Sequence, residues 1–556
     1  MHRESILHQL TSQQFDVLII GGGITGTGAA RDAVYRGMKV ALIDMNDLAY
    51  GTSSRSSKLV HGGLRYLENL EFSLVFEAVS ERQTLLHIAP HLVHPLGFLF
   101  PVYEGSRRSA FTINLGMWLY DGLSLFRSPK IHQNLSKKQV QKIEPALGSA
   151  TLKRAPLYYD CSTDDARLTL ENALDAVHDG AVVATYVKAK QYRYNDQGRI
   201  VGILATDVLT NTDIEIACKT CINCTGPWSD KTRQLNADGV QYLRPTKGVH
   251  IVVDHQKLPI NNAVVCFHPK DGRVLFAIPW SDRTYIGTTD TDFIEDLEDI
   301  AATAEDVRYL LDASNAYFPD YVLAETDVIS TWAGVRPLIA DDASTESSVS
   351  REHSVRIEAN GLITIAGGKL TTYRKMAMEV VDRSVDMLRL MGVQVQHGTK
   401  NTATEPLPGA KGWSDKFSNL PELLTALENK ASSLIQSNTI SLASVHHIAT
   451  IYGMVAFDIV DIVEKQPQYG ATLVANRPEI LAQVVYAAEK ELASTLCDIF
   501  VRRTQLFFRD LNQGLDCVDV VADIMAKLLQ WSPDRTQQEK DLYREEVQRS
   551  RRWQNH

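Results

Sequence analysis

FDVLIIGGGITGTGAARDAVYRGMKVALID, residues 15–44, decides the fold. DVLII is short, continuous and β-branched, the pattern of a buried strand. GGGITGTG interrupts it, TGTGAARDAVYRG continues as a helix that stops at Gly37, and KVALID is a second buried strand. The result is a strand–helix–strand unit carrying G-x-G-x-x-G, formed by Gly21, Gly23 and Gly26, where the chain leaves the strand. Gly21 permits the tight turn, Gly23 lets a pyrophosphate approach the backbone, and Gly26 lets helix and strand pack closely. The pyrophosphate sits on the free N–H groups of the helix N-terminus. Asp44 ends the second strand 18 residues after Gly26, where a carboxylate binds ribose hydroxyls. The unit binds an adenine dinucleotide. These residues alone do not separate FAD from NAD.

The rest of the composition narrows the class. At 556 residues the chain has room for about three or four domain-sized units. Hydrophobic residues make up 44% and charged residues 22%, an ordinary balance for a globular protein. The formal net charge of −10 gives no electrostatic support to a nucleic-acid partner. Seven cysteines, few and odd in number, point to a reducing compartment. The N-terminus runs from polar residues straight into a short strand without a cleavable signal pattern, and no run of 18 uninterrupted apolar residues occurs. The expected place is the cytosol or the inner face of the cytoplasmic membrane.

Beyond residue 45 the pattern alternates. Residues 68–88 and 165–180 read as helices, and VVATYVKA after them as a strand. Residues 198–226 read as a hairpin or meander entering CTGPW, and 249–290 are β-rich. Residues 303–318 read as a helix capped by Thr303, and 362–388 as strand, glycine turn and long helix. NTATEPLPG, 401–409, looks like a linker, followed by helices almost throughout. The charged tail from 533 is expected to be a solvated helix or disordered. The fold class is α/β (α+β): a Rossmann-like dinucleotide domain, an interleaved β-rich substrate domain, and an all-helical domain at 401–556. Residues 1–400 then divide into cofactor parts at about 15–75, 165–245 and 330–388, and substrate parts at about 76–164 and 246–329.

GGGITGTGAARDA, TSSRSSKLVHGGLRYLE, YYDCSTDDARL, CTGPW, TKGVHIVV, IPW…IGTTD, WAGVRPL and GGKLTTYRK follow one another from about 16 to 375. In this order they resemble the FAD-dependent, respiratory glycerol-3-phosphate dehydrogenases, within the wider D-amino-acid-oxidase-like flavoproteins. The helical part after 401 resembles the C-terminal domain of many members. The resemblance implies FAD, held noncovalently, and oxidation of sn-glycerol 3-phosphate to dihydroxyacetone phosphate with electrons leaving for a membrane quinone. In a related oxidase branch the acceptor is oxygen. A non-catalytic dinucleotide-binding sensor is the alternative from another class, and the oligomeric state stays open, a homo-oligomer included.

The resemblance also directs attention to particular residues. For the cofactor, beside Gly21, Gly23, Ile24, Gly26 and Asp44, it implies the hydroxyl run Thr52, Ser53 and Ser54 and the loop His61, Gly62, Gly63 and Leu64. It adds Val187, then Gly226 and Trp228 of CTGPW, Gly334 of WAGVRPL, and Gly368, Lys369, Leu370 and Thr371 of GGKLTTYRK. A phosphate monoester carries about −1.5 to −2 charge and needs converging cations. Arg65, Arg336 and Lys369 sit beside glycines in the matching motifs, with Tyr66 next to Arg65. Hydride leaves substrate C2 for the flavin while a base takes the C2 hydroxyl proton. His250, which has a suitable reference pKa, or a water beside it is the expected acceptor, and Arg336 suits the developing alkoxide.

Three further features invite a functional reading. RRSAFTINLGMWLYDGLSLFRSPK, 107–130, places Phe111, Leu115, Trp118, Leu119 and Phe126 at roughly helical spacing between cations, which suits a helix lying in a membrane interface or a core helix. His87, His91 and His94 lie around prolines and do not line up as ligands, while His446 and His447 point apart on a helix. Cys218, Cys221 and Cys224 have the spacing of half a metal site. In a strand, however, residues three apart lie about 10 Å from each other on opposite sides, too far for a shared metal or a disulfide. No metal is expected there.

Overall fold

In the computed structural model the described residues are 3–63, 71–105, 110–123, 130–236, 239–340, 353–395 and 398–555. Among them the strands form two sheets, of eight and eleven strands.

The first sheet grows from the opening motif. Gln14–Ile20 pairs in parallel with Val40–Ile43 on one side and Thr212–Asn223 on the other. Val182–Ala184 and Leu362–Gly367 extend it in parallel outward. Parallel strands need crossovers, and helices Ile24–Tyr35, Asp165–His178 and Tyr373–Leu390 supply the layer on one face. Their apolar stripes, including Ala29, Ala173, Val380 and Val381, bury against Val17, Ile19, Leu42 and Ile222. The other face is covered by helix Arg3–Ser12 and the antiparallel strands Val187–Tyr194 and Ile200–Asp207. This is the expected Rossmann-like arrangement.

The second sheet is built around the long antiparallel pair Leu243–Asp254 and Val328–Ile339. Its strands hold Val249, Ile251, Val253, Val335 and Ile286 in one core. On its other face, Trp332, Tyr285 and Phe98 share a core with Leu496, Phe500, Phe507 and Val521 of the helical C-terminal region. That region therefore closes one face of the substrate sheet.

Several expectations need correction. VVATYVKA is not one strand: it breaks after Ala184, where Tyr186 takes a positive φ of 58° and its N–H is bonded by Asn46 O. The segment 401–409 is tied to the dinucleotide domain, since buried Arg31 donates to the carbonyls of Thr402 and Glu405. The tail from 533 is neither solvated throughout nor disordered: helix Pro533–Ser550 buries Glu539, Tyr543 and Val547. Tyr543 stacks on Phe500 with ring centroids 4.4 Å apart.

The cysteine geometry also differs. Asp16 and Val17 both donate their N–H to Lys39 O, which disturbs the alternation of the central strands. Phe15 and Leu18 enter the same apolar cluster, as do Cys218 and Cys221 paired beside them. Cys218 and Cys221 are thus neighbours on one side, not opposed. The Cys218 thiol, hydrogen-bonded to it, and burial raise the Cys221 pKa well above its ordinary value, which leaves Cys221 a protonated core residue.

One helical stretch, Leu442–Lys465, is long and apolar enough to cross a membrane by length and composition. It is interrupted at Gly453, whose φ is 55°, and Val445, Ile448, Tyr452, Ile459 and Val463 are buried in the C-terminal core. It reads as core.

Candidate functional site

A cavity of about 350 Å³ runs along the C-terminal ends of the parallel strands, where ligands of such sheets bind. It is lined by Gly21, Gly23 and Ile24 at the first turn, Asp44 at the second strand, and Thr52 and Ser53 beyond it. Val187, Gly226, Trp228, Gly368, Lys369 and Leu370 complete the part anticipated from the sequence.

The turn is built as its glycines require. Gly21 has φ +109°, open to glycine but strained for other residues. A Cβ on Gly26 would overlap the carbonyl oxygen of Gly21, so helix and strand meet there without a side chain between them. Asp44 accepts from Gly22 N at 2.6 Å and Asn46 N at 2.8 Å. Burial is the main influence on its pKa and lifts it to about 7, against these two hydrogen bonds, which lower it. Asp44 therefore pins the glycine turn as well as lining the cavity. Ser53 Oγ accepts from Ile24 N at 2.9 Å, at the helix N-terminus.

The cavity suits a dinucleotide. It passes from the glycine turn and helix start to Asp44 at one end and to the 365–370 turn at the other. Trp228 Nε1, at the lining, is buried and has no hydrogen-bond partner among the described residues, which leaves a donor for a bound ligand.

The remaining anticipated cofactor residues stand behind this lining. Thr371 Oγ1 accepts from His61 N at 3.1 Å and holds the 61–63 loop. Ser54 is buried and its carbonyl accepts from Lys58 Nζ. Gly334 lies so close to Arg55 that a Cβ would stand 2.8 Å from Arg55 O. Gly62 donates its N–H to Tyr120 Oη at 3.0 Å and Asp160 Oδ1 at 3.2 Å, and the residue is buried next to Gly63. Leu64, Arg65 and Tyr66 lie outside the described residues, as does Phe126 of the 107–130 segment.

His250 and Arg336 lie just beyond the cavity, one residue from its lining. His250 Nε2 is 2.9 Å from Ser57 Oγ, next to the lining Ser56. Its ring stacks on Trp332 at 4.7 Å and 14°, and its buried Nδ1 has no partner among the described residues. Burial, then the cations Arg336 and Lys58, push its pKa well below the usual value, so the imidazole is neutral. Arg336 precedes the lining Pro337 and donates to Asp290 Oδ1 at 2.9 Å and Thr288 Oγ1 at 3.0 Å.

Sequence reading passed over a buried ion pair beneath this site. Lys58 Nζ lies 2.6 Å from Asp165 Oδ1, and Lys58 also stands over the rings of Trp332, Trp280 and Phe508. Asp165 accepts from Ser56 N and Oγ as well. The only sequence signal was a lysine inside the Ser-rich stretch. Tyr50, Lys188, Lys231 and Met376 of the lining carried none.

Comparison with known proteins agrees with this geometry. Residues 16–374 match the family model described as FAD dependent oxidoreductase. Residues 400–536 match the C-terminal domain of alpha-glycerophosphate oxidase. The aerobic glycerol-3-phosphate dehydrogenase of Bacillus subtilis is 39% identical over 96% of this chain and 94% of its own length. That of Staphylococcus aureus is 36% identical over 99% and 96%. The crystal structure of a glycerol-3-phosphate dehydrogenase from Bacillus halodurans, complexed with FAD, superposes with a TM-score of 0.80 at 34% identity, covering 99% of this chain and 97% of that one. An L-alpha-glycerophosphate oxidase from Mycoplasma pneumoniae, at 20% identity and a TM-score of 0.54, shares the fold. With the dinucleotide cavity and both family matches in one chain, this protein belongs to the FAD-dependent oxidoreductases, in the family of the aerobic glycerol-3-phosphate dehydrogenases.

Proposed function

We infer that the protein oxidises sn-glycerol 3-phosphate to dihydroxyacetone phosphate with FAD and passes the electrons to a membrane quinone. The observation that carries the reaction is similarity over nearly the whole chain to glycerol-3-phosphate dehydrogenases, joined to a cavity that suits the dinucleotide. The chemistry FAD supplies when bound is acceptance of a hydride from substrate C2 at N5.

The chain's residues do the rest. Lys369 at the lining, Arg336 beside it, and Arg65 with Tyr66 in the same motif are assigned to the phosphate and the reacting oxygen. His250 is assigned as acceptor of the C2 hydroxyl proton: a neutral imidazole has a lone pair for it, and Ser57 orients the ring. Arg336 is partly neutralised by Asp290, which limits how far its charge suppresses protonation of His250.

The quinone and membrane assignments rest on an exposed apolar surface. Phe72 and Phe76 on helix Phe72–Ile88, and Trp118 and Leu119 on helix Ala110–Leu123, stand 40%, 49%, 52% and 42% exposed. The two helices pack against each other, so these exposed apolar side chains sit on neighbouring helices, which suits contact with a membrane interface. We place the enzyme peripherally on the inner face of the cytoplasmic membrane.

Anaerobic mixing with glycerol 3-phosphate tests the reaction by bleaching of the flavin; an unbleached flavin sinks it. Reoxidation by a short-chain quinone without hydrogen peroxide supports the dehydrogenase, and stoichiometric peroxide in air supports an oxidase. Cosedimentation with anionic liposomes should be lost in Trp118→Glu/Phe76→Glu; unchanged cosedimentation rules this surface out as the anchor.

A further inference from the structure

One short stretch of the C-terminal helical region, 498–509, lies where the cofactor domain meets the substrate sheet. Its first half is a wide π-helical turn, Asp498–Arg503, that presents two successive arginines to one carboxylate. Arg502 Nε lies 2.5 Å from Asp47 Oδ2, and Arg503 donates to both oxygens of Asp47 at 2.7 and 3.0 Å. Arg502 also donates to Asp498 Oδ1 at 2.8 Å, which accepts from the Tyr186 hydroxyl at 2.6 Å. These side chains are all buried. Asp47 belongs to the loop whose Asp44, Asn46 and Tyr50 line the cavity, and Tyr186 precedes the lining Val187.

The second half crosses to the substrate sheet. Gln505, at a positive φ of 59°, donates from Nε2 to Asp164 Oδ2 at 2.7 Å, and Asp164 caps helix Asp165–His178 of the cofactor domain. Phe508 O accepts from Ser330 Oγ at 2.7 Å. The Phe508 ring lies edge-on to Trp332, with centroids 5.5 Å apart, and Trp332 is the ring on which His250 stacks. Arg509 O accepts from Arg283 Nε at 2.8 Å, and Arg509 Nη2 donates to Asp282 Oδ1 at 2.6 Å, at the turn between strands Val274–Trp280 and Arg283–Gly287.

We propose that the segment 498–509 is the keystone that sets the distance between flavin and substrate, with Arg502, Arg503 and Gln505 placing the cofactor side and Phe508 the His250 side. This rests on the hydride transfer assigned above. That step needs the reacting atoms about 3–3.5 Å apart, and a misplacement of about 1 Å can cost about 100-fold in rate. Asp47 cannot leave its arginines without stranding a charge in the interior, and Phe508 cannot leave Trp332 without opening a void. The segment therefore resists sliding at both ends. Its members are positioning residues, since none of them lines the cavity. A dinucleotide filling the cavity meets the loop that carries Asp47, so its binding and the docking of this segment are linked in both directions.

The test has two arms. In hydrogen–deuterium exchange on the unmodified protein, FAD should slow amide exchange in 498–509 about tenfold or more relative to the apoprotein, and leave helix Leu420–Lys430 unchanged. Equal exchange in 498–509 with and without FAD overturns the proposal. This arm uses no substrate, so its result stands whether or not glycerol 3-phosphate is the reductant. In the second arm, Gln505→Ala/Phe508→Leu, saturated with FAD, should be bleached by saturating glycerol 3-phosphate about tenfold more slowly per bound flavin. A variant that melts lower yet bleaches at the unmodified rate overturns the proposal, because a support for folding alone leaves the chemistry at each bound flavin intact. Should that variant not fold, the exchange arm decides.

Discussion

His250 Nε2 and Ser57 Oγ stand 2.9 Å apart, joining the longest strand pair of the substrate sheet to the hydroxyl-rich loop of the cofactor domain. The bond fixes a ring that Trp332 already stacks, so one imidazole orientation is selected. His250→Asn should lower kcat about 100-fold with little change in KM. Ser57→Ala should lower kcat less, through loss of orientation. Because His250 is held neutral well below its ordinary pKa, kcat should show no His250 inflection between about pH 6 and 8. Steady-state kinetics across pH check all three; a kcat for His250→Asn within about fivefold of the unmodified enzyme would leave the ring a packing role only.

Asp44 carries a pH dependence of opposite sign. Its pKa in the folded protein is lifted to about 7, so the folded apoprotein holds a proton that the unfolded chain gives up near pH 4. Stability from this group is full below about pH 4 and is lost as pH rises through about 7. Asp44→Asn should flatten that part of the apoprotein's melting curve between pH 5 and 8, and weaken FAD binding about ten- to a hundredfold. Melting temperature against pH and a fluorescence titration with FAD measure the two effects.

Gly26→Ala introduces a methyl group where the Gly21 carbonyl already lies. Relief requires the strand and the helix to separate at the cofactor turn. The expected cost is about 3 kcal/mol or more, with colourless protein on purification. A yellow protein of normal melting temperature would show that the turn adjusts.

Lys58 and Asp165 form a buried pair under the site. Lys58→Met leaves Asp165 charged without its counterion and should cost about 3–5 kcal/mol. Adding Asp165→Asn should recover much of that loss, since both charges are then gone. Denaturant unfolding of the single and double variants gives the coupling directly.

Much of this was legible from residue order. The strand–helix–strand unit and its three glycines follow from short-range patterning, because each glycine answers a local need of the turn. The helices at 165–180 and 303–318, and the strand, glycine turn and helix at 362–388, were readable for the same reason, down to the Thr303 cap, whose side chain accepts from Asp306 N. The break at Tyr186 was not, since it is imposed by Asn46, 140 positions earlier in the chain. Cys218 and Cys221 misled because the alternation there is disturbed where Lys39 O, just ahead of strand Val40–Ile43, takes two N–H groups of the central strand, which nothing in IEIACKTCINC records.

The sequence by itself determined that the chain carries a dinucleotide turn, that a β-rich part interleaves with it, and that helices follow residue 401. It did so because glycine turns, strand alternation and helix caps are short-range physics. Only the tertiary structure decided that His250 is desolvated between Trp332 and Ser57, and that Lys58 stands on Asp165. Those relationships join residues up to about 190 positions apart, and their energies come from burial and charge pairing that exist only once the sheets and the C-terminal helices have closed on each other.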